Sequence, residues 1–334
     1  MEETASAAGA LPRVAAVVVN FDGKAVTLDA VASLRRMRYP RFDLVVLDNG
    51  SRDGSVEALA AAFPDLRQLR LPENRGSASG YAAGFRWAFA NGYDYALLLN
   101  NDVEVEPDML DELVAAAERD PHAGAVGPKC YFHSDRMRLW SAGGVLRWRE
   151  AVTRERGYGE LDSGQFDEEA RVDYVNGCAI LVRRAAAEAA GGWDPLYFIC
   201  VDDADFCTRL AGAGWRCLYA PRAVLYHRVA WTTGGYTPFR NFQLGRSSAL
   251  YVRRYANRLQ KARFWAFALA ALVVGYLREL PRRNQAAAVA KLRGALAGWR
   301  EPLAPPPRLE PPPTELQEIR AAASPPASAA SDTG

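Results

Sequence analysis

The sequence predicts an α/β protein with a mostly parallel β-sheet, and three observations support that fold class. Short apolar runs rich in Val and Leu recur at strand length within the first 100 residues. A polar loop and a helical pattern follow each of the first three runs, an alternation typical of parallel strands joined by helices. The hydrophobic fraction of 49% over 334 residues is ample for the core of one large domain or two small ones.

The predicted elements follow one another in a regular order. The first strand ends at Asn20, the second ends at Asp48, and a weaker third strand leads into a helix that runs to about Ala90. Ser55 or Asp53 is the expected cap of the second helix. The predicted strands cover residues 14–19, 43–47 and 66–71 and a fourth run that begins at 96, and the first two helices cover about 27–37 and 56–62.

Composition and motifs exclude several classes of protein. A net charge of +2 provides no global attraction to nucleic acid, so we expect no nucleic-acid partner. The chain has neither G-x-G-x-x-G after the first strand nor G-x-x-x-x-G-K-[ST], which argues against dehydrogenases and nucleoside triphosphatases. Gly76, Gly80 and Gly84 follow the third strand instead and indicate close packing of a helix start on the sheet. Five cysteines without a C-x-x-C pair fit a reducing compartment.

The fourth apolar run ends in the polar residues Asn100, Asn101 and Asp102. Polar groups at the carboxyl end of a buried strand are how open α/β sheets form ligand sites. Asp102 offers a hard anionic oxygen suited to Mg²⁺ or Mn²⁺ beside a diphosphate. An ordinary turn rich in Asn and Asp explains this segment equally well, so the other motifs have to decide between the two interpretations.

Several motifs, taken together and in order, resemble the family 2 inverting glycosyltransferases with a GT-A fold. The loop after the second strand is similar to the family's nucleotide loop, and residues 100–102 stand at the position of its D-x-D metal motif. Residues 191–194 and 201–207 resemble its G-G-F-D and E-D-x-D-[FL] segments. The resemblance covers roughly residues 13–235 and is greatest to bacterial rhamnosyltransferases of cell-surface polysaccharide assembly. Further matching positions are residues 48–55, Asn74, Gly76, Gly80, Gly84 and residues 173–184.

This resemblance implies a donor site and a metal site. It assigns Asp48 to a pyrimidine base, Asn101 to the ribose, and Asp102 with His227 to a Mg²⁺ or Mn²⁺ ion on the donor diphosphate. Asn100 stands where the family carries its first acidic residue, which implies modest metal affinity or an intervening water. Asn20 is expected beside the base, with hydrogen bonding to the loop backbone as the alternative. The implied donor-binding residues are Asn20, Asp48, Asn49, Ser51, Asn74, Gly76, Asn100 and Asn101.

The resemblance also implies an acceptor side with a general base. Asp203 matches the family's catalytic carboxylate, Asp202 is its competitor, and Asp205 is expected to cap the helix that follows. Trp193 could stack on an acceptor sugar or belong to the core. The implied acceptor-binding residues are Gly177, Trp193 and Asp194.

The implied reaction is a single-displacement transfer of rhamnose or a similar sugar. The expected donor is a dTDP- or UDP-sugar, and the expected acceptor is a hydroxyl of a saccharide or a polyprenyl-linked saccharide. One alternative is a non-catalytic protein of the same fold that binds sugar nucleotides, suggested by Asn100. The other is a nucleotidyltransferase, although the chain lacks a Gly-rich, Lys- or Arg-bearing loop after the first strand.

Four regions are predicted along the chain. They are a disordered N-terminus over residues 1–11, a GT-A domain over 12–235, a helical extension over 236–300, and a disordered Pro/Ala-rich tail over 301–334. The uncharged run 264–277 is short for a membrane span and is flanked by basic residues, which suits an anionic membrane surface. Packing on the catalytic domain is the alternative. Without signal-peptide features near the start, we expect a cytoplasmic protein, free or peripherally bound to the cytosolic face of the cell membrane.

Overall fold

The computed structural model describes residues 11–149, 152–229 and 235–319, which form a central sheet flanked by helices. The strands are β1 (Val14–Asn20), β2 (Phe42–Asp48), β3 (Arg67–Arg70), β4 (Tyr95–Asn100), β5 (Val103–Val105), β6 (Ala123–Phe132), β7 (Asp135–Ser141), β8 (Gly144–Leu146), β9 (Thr153–Glu155), β10 (Ala170–Val172), β11 (Ala179–Arg183), β12 (Arg216–His227) and β13 (Gln317–Ile319). The helices are α1 (Lys24–Leu34), α2 (Ser55–Ala62), α3 (Ser77–Ala90), α4 (Met109–Arg119), α5 (Arg184–Ala190), α6 (Asp202–Gly212), α7 (Pro238–Tyr255), α8 (Arg258–Glu279) and α9 (Gln285–Arg300).

The main sheet joins a parallel half to a mixed half. Its strand order is β10-β12-β6-β11-β4-β1-β2-β3-β13, with β1 parallel to both β2 and β4. Register pairs Asn20 with Asp48 and Val19 with Asn100, so the polar residues that end these three strands lie side by side. Strand β11 runs antiparallel to β4, and β12 is parallel to β6. The sequence prediction of a mostly parallel sheet is confirmed, and the antiparallel β11 and β13 are additions to it.

Both faces of the sheet are covered, which explains why the early strands are apolar without alternation. In β1, Val17 packs on the side of α3 and α6, and Val18 packs on the side of α1 and α4. Helix α3 approaches β1 closely, because a Cβ atom at Gly80 would lie only 2.6 Å from Val19 Cγ1. The predicted close packing of this glycine-bearing helix on the sheet is confirmed.

Two helix boundaries differ from the sequence prediction. Helix α1 begins at Lys24, earlier than predicted, because the carbonyl of Gly23 accepts the first helical bond from Thr27 N at 2.9 Å. It ends at Leu34, before predicted Met37. Helix α2 has Gly54 as its N-cap, in a left-handed conformation with φ of 78°. Asp53 still accepts a bond from Ser55 N at 3.0 Å, so it supports the turn without being the cap.

The C-terminal part of the domain is helical, as predicted. Helix α7 packs tightly along α9, where Gly245 faces Lys291 O and allows close approach of the two helices. Helix α8 is far less buried, since only Phe264, Ala268, Gly275 and Glu279 are covered. No helix in the described ranges is long and apolar enough to cross a membrane.

The structure corrects the predicted disorder of the tail for residues 301–319. These residues lie along the domain, and β13 extends the sheet by pairing antiparallel with β3. Charged pairs reinforce this edge, with Arg75 to Glu315 at 2.6 Å and Arg67 to Glu318 at 3.1 Å. The Pro-rich composition hid this because β-pairing at a sheet edge needs only a few residues with free backbone N–H groups. Residues 1–10 and 320–334, also predicted to be disordered, lie outside the described residues.

Candidate active site

A cleft of about 400 Å³ opens where the parallel strands end. It lies between the carboxyl ends of β1, β4 and β12 on one side and the start of α6 on the other. This is the edge at which open α/β sheets bind ligands. Of the residues predicted from sequence, those that line it are Asn49, Asn74, Gly76, Asn100, Asn101, Asp102, Gly177, Asp202, Asp203 and His227.

Beneath one wall of the cleft, polar side chains from three strand ends bond one another. The Nδ2 group of Asn20 donates to Asp48 Oδ1 at 3.0 Å and to Ser51 Oγ at 3.1 Å. Its Oδ1 atom accepts from Thr27 Oγ1 at 2.7 Å and from Asn101 Nδ2 at 2.9 Å. Asn20, Asp48 and Ser51 are buried and do not line the cleft in this structure. Their bonds hold the loops at these strand ends together, and the partners of the Asn20 side chain are other side chains, not the loop backbone that its alternative predicted.

The loop after β3 completes the same wall. Asn49 donates through Nδ2 to Gly76 O at 3.0 Å and to Asn74 Oδ1 at 3.2 Å. Its own Oδ1 is buried and has no partner among the described residues. Gly76 has φ of 86°, and a Cβ there would fall 2.1 Å from Phe198 O, so only glycine fits. Through this contact, the wall of the cleft packs against the segment that precedes α6.

Asp102 and His227 meet at the ends of β4 and β12. Their Oδ1 and Nε2 atoms are 3.1 Å apart, and both side chains are buried. Two cis ligands of an octahedral ion with bonds of about 2.1 Å lie about 3.0 Å apart, so this spacing fits a shared divalent ion. The Nδ1 atom of His227 is buried without a partner in the described part of the chain. Trp140 holds the imidazole ring edge-on at 4.5 Å between ring centroids.

The donor atoms of this pair suit Mn²⁺, or Mg²⁺ with more oxygen ligands supplied from outside the chain. Among the residues that the structure describes, no group of three or more His, Cys, Asp and Glu side chains gathers around a metal position. The amide oxygen of Asn100 accepts a hydrogen bond from the Tyr81 hydroxyl instead. Diphosphate and water oxygens would therefore have to complete the coordination.

Asp203 faces the cleft from the first turn of α6. Its Oδ2 accepts from Gly177 N at 3.1 Å and its Oδ1 accepts from Ala204 N at 2.8 Å. Desolvation raises the pKa of Asp203 above its ordinary value, and these backbone N–H groups oppose the rise. Cys200 and Val201, just before the helix, have φ of 69° and 63°. Left-handed backbone at a β-branched valine is strained, and such strain is commonly found at functional sites.

Asp202, the neighbouring carboxyl, points away into the core. It is buried, and its Oδ2 accepts from Trp193 Nε1 at 2.9 Å. Burial first, and the nearby charge of Asp203 second, raise the pKa of Asp202 to about 7. Of the two carboxyls, Asp203 is the better placed to meet a ligand.

The structure corrects three further site predictions on the acceptor side. Trp193 is 1% exposed and stacks on Phe206 at 4.9 Å, so it belongs to the core and not to the cleft. Asp194 pairs with Arg254 at 2.8 Å. Asp205 does not cap α6, because it is fully buried and pairs with Arg209 at 2.8 Å and with Arg254 at 2.9 Å. Side chains of α7 bond these carboxylates, through Arg254 to both and through Tyr255 to Asp205, and remove them from the solvent.

Sequence reasoning missed several residues around the cleft. Glu155 is half-buried and accepts from Tyr174 Oη at 2.7 Å and from Asn176 Nδ2 at 2.9 Å, which fixes Asn176, a side chain that lines the cleft. Burial raises the pKa of Glu155 to about 7. It lies in an irregular insertion where no motif marks it. Other lining residues missed are Tyr81, Trp140, Asn176, Phe198 and Arg240, the last of which lies in the predicted helical extension.

The fold and the cleft together define a nucleotide-sugar transferase of the GT-A type. The chain matches the family model described as glycosyltransferase like family 2 over residues 12–256, and it belongs to that family, whose members are inverting. It is 30% identical over 233 residues to N-acetylglucosaminyl-diphospho-decaprenol L-rhamnosyltransferase of Mycobacterium tuberculosis, a match that covers 61% of this chain and 72% of that protein. It is 29% identical over 230 residues to O-antigen biosynthesis protein RfbC of Myxococcus xanthus, covering 65% of this chain and 17% of that protein.

Solved structures show the same fold. The mannosyltransferase PcManGT from Pyrobaculum calidifontis, in complex with GDP-Man and Mn²⁺, aligns with a TM-score of 0.55 at 18% identity, over 86% of this chain and 87% of that chain. GalNAc-T7 with UDP, GalNAc and Mn²⁺ aligns with a TM-score of 0.59 at 14% identity, over 74% of this chain and 49% of that chain. The predicted GT-A fold and family 2 glycosyltransferase activity are confirmed.

Proposed function

We propose that this chain transfers rhamnose or a closely related sugar from a dTDP- or UDP-sugar to a hydroxyl of a lipid-linked saccharide, in the assembly of a cell-surface polysaccharide. The observation that carries the proposal is that the Asp102–His227 pair and the Asp203 carboxylate line one cleft. The end of the cleft with Asp102 and His227 can hold a diphosphate, and the end with Asp203 can take a proton. The relative with a lipid-linked rhamnosyl product supports this choice of sugar and acceptor.

Asp203 acts as the general base of the displacement. As the acceptor oxygen forms its bond to the anomeric carbon, its proton passes to the Asp203 carboxylate. The bond from the anomeric carbon to the diphosphate oxygen breaks, and the electron pair leaves with the nucleoside diphosphate. Backbone N–H groups of Gly177 and Ala204 hold the carboxylate in place. The buried Asp202 limits its movement through the first turn of α6.

The donor end is formed by short polar side chains and one pair of metal ligands. Asn49, Asn74 and Asn101 present amide groups to the cleft that suit the hydroxyl and carbonyl groups of a nucleotide. Asp102 and His227 would hold Mg²⁺ or Mn²⁺, which neutralises the developing charge of the leaving diphosphate when bound. Mn²⁺ in solved structures of the same fold supports this assignment.

Helix α8 is the proposed contact with the membrane that carries a lipid-linked acceptor. Its outer face exposes large apolar side chains, with Leu269 at 55%, Val273 at 58% and Val274 at 65% of their surface. Helix α8 and the turn after it carry several basic residues and one acidic residue, Glu279. Glu279 is buried and pairs with Arg278. An apolar face with basic flanks suits the anionic cytosolic leaflet. Sedimentation of the full chain with phosphatidylglycerol vesicles, compared with neutral vesicles, measures this contact.

The reaction is tested with purified full-length protein, Mn²⁺, a panel of dTDP- and UDP-sugars and a short-chain polyprenyl diphosphate-linked N-acetylglucosamine. We expect release of a nucleoside diphosphate, together with a product heavier by one deoxyhexose. Release of inorganic diphosphate would instead indicate a nucleotidyltransferase. Binding of a nucleotide sugar without turnover of any acceptor would identify a non-catalytic sugar-nucleotide-binding protein.

A further inference from the structure

The cleft carries an imbalance of charge. The carboxyl groups of Asp102 and Asp203 face it, while that of Asp202, at its edge, turns to Trp193. Arg240 is the one Arg or Lys side chain among the described residues that line it. A nucleotide sugar brings a diphosphate with two negative charges, and the leaving nucleoside diphosphate gains one more. A divalent ion at Asp102 and His227 offsets only part of this charge, so a cation of the protein that faces the phosphates would strengthen binding.

Arg240 is placed where a cation can meet an anionic ligand in the cleft. It lies in the first turn of α7, an 18-residue helix whose N-terminus carries partial positive charge and has no acidic residue in that turn. Thr237 caps the helix by accepting from Arg240 N at 3.2 Å, which fixes the backbone of the arginine at the cleft. Within the described ranges, its guanidinium makes no ion pair and no hydrogen bond, unlike Arg246 and Arg254 on the same helix.

From this arrangement we infer that Arg240 binds the donor diphosphate directly, opposite the Asp102–His227 pair, and stabilises the leaving nucleoside diphosphate. The inference rests on the proposed function. A guanidinium can donate hydrogen bonds to two phosphate oxygens at once. A metal ion held by only two side chains does not supply those hydrogen bonds. Arg240 thus makes part of the affinity for nucleoside diphosphates independent of metal.

The test titrates dTDP, UDP and thymidine into full-length protein by calorimetry, with Mn²⁺ and with EDTA. The variants are Arg240→Gln, Arg240→Lys, Asp102→Ala and, as a matched loss of charge, Arg258→Gln on the exposed start of α8. We expect Arg240→Gln to weaken binding of the preferred diphosphate about ten-fold or more in both conditions, with Arg240→Lys intermediate. Arg258→Gln should bind as the wild type does, and Asp102→Ala should lose only the part that depends on Mn²⁺.

Three results would overturn the inference, and they differ in what they say about the proposed function. If the wild type binds dTDP or UDP and Arg240→Gln binds it equally well while melting at the same temperature, Arg240 has no such role and the proposed function stands. If the wild type binds no nucleoside diphosphate, including GDP, in either condition, the proposed function fails and the inference fails with it. A loss that Arg240→Gln shows only with Mn²⁺ present would also contradict direct binding.

Discussion

The two halves of the cleft are held together by different interactions. In the donor half, at the ends of β1, β2 and β4, mostly neutral groups of Asn20, Ser51 and Asn101 bond one another around a single carboxylate, Asp48. In the acceptor half, which consists of α6, the loop before it and α7, buried Asp194 and Asp205 are paired with arginines. The donor half thus depends on neighbouring strand ends, and the acceptor half depends on contacts between distant segments.

This difference decides how each half responds to change. Neutral hydrogen bonds contribute about 0.5–1.5 kcal/mol each, so the donor network weakens in steps. Breaking a buried ion pair leaves an uncompensated charge, so the acceptor half responds abruptly. Asp203, the proposed general base, belongs to the acceptor half, yet its partners among the described residues are backbone N–H groups. Its chemistry should therefore be separable from the stability of the fold.

The largest expected effect comes from removing the basicity of Asp203. Asp203→Asn keeps the shape of the side chain and should lower turnover by about 10²–10⁴-fold, because the acceptor hydroxyl loses its proton acceptor. Donor affinity should stay near the wild-type value, since the donor half is untouched, and the melting temperature should fall only slightly, because the amide nitrogen cannot accept one of the two backbone N–H bonds. Single-turnover assays with a labelled sugar nucleotide, alongside calorimetry, measure both quantities. Normal turnover in Asp203→Asn with loss in Asp202→Asn would mean that Asp202 is the base.

The same contrast explains what could be read from the sequence. In the donor half, register between adjacent parallel strands brings strand-end residues together, so strand endings located Asn100, Asn101 and Asp102 at the cleft. In the acceptor half, the sequence around Trp193 does not reveal whether its side chain is buried or exposed. Its burial depends on Phe85 and Phe206, whose positions follow from packing over more than 100 residues of chain. Composition likewise failed to predict the edge pairing of β13.

Arg254, which bridges Asp194 and Asp205, tests whether the acceptor half loses stability abruptly when a buried ion pair is broken. Arg254→Met keeps much of the apolar volume and should lower the free energy of unfolding by about 3–5 kcal/mol, because Asp194 is left buried without a cationic partner. Urea denaturation followed by tryptophan fluorescence measures the change. Arg258→Met, on the exposed start of α8, is the matched control and should change it by no more than about 0.5 kcal/mol. If Arg254→Met lowers the free energy of unfolding by less than about 1 kcal/mol, the acceptor half is no more sensitive to a lost side-chain interaction than the donor half.

The smallest expected effect is a pH dependence of stability carried by Asp202. Its folded-state pKa is raised to about 7 from an ordinary value near 3.8, chiefly by burial. Between these two values the folded protein binds more protons at this site than the unfolded chain does, so the free energy of unfolding falls as pH rises. The slope is at most about 1.4 kcal/mol per pH unit, and the contribution is constant above about pH 7.

Asp202→Asn isolates this contribution. The amide oxygen of asparagine can still accept from Trp193 Nε1, and the buried charge is gone, so the variant should unfold with a flatter pH profile between pH 5 and pH 7. Titrating groups that do not interact with Asp202 contribute equally to both proteins, so the difference between their denaturation curves reports Asp202 together with its interaction with Asp203. We expect the variant to gain stability relative to the wild type as pH rises and to be the more stable protein at pH 8. Parallel profiles for the two proteins would show that Asp202 titrates near its ordinary value, and that the acceptor half tolerates its buried carboxylate in the charged form.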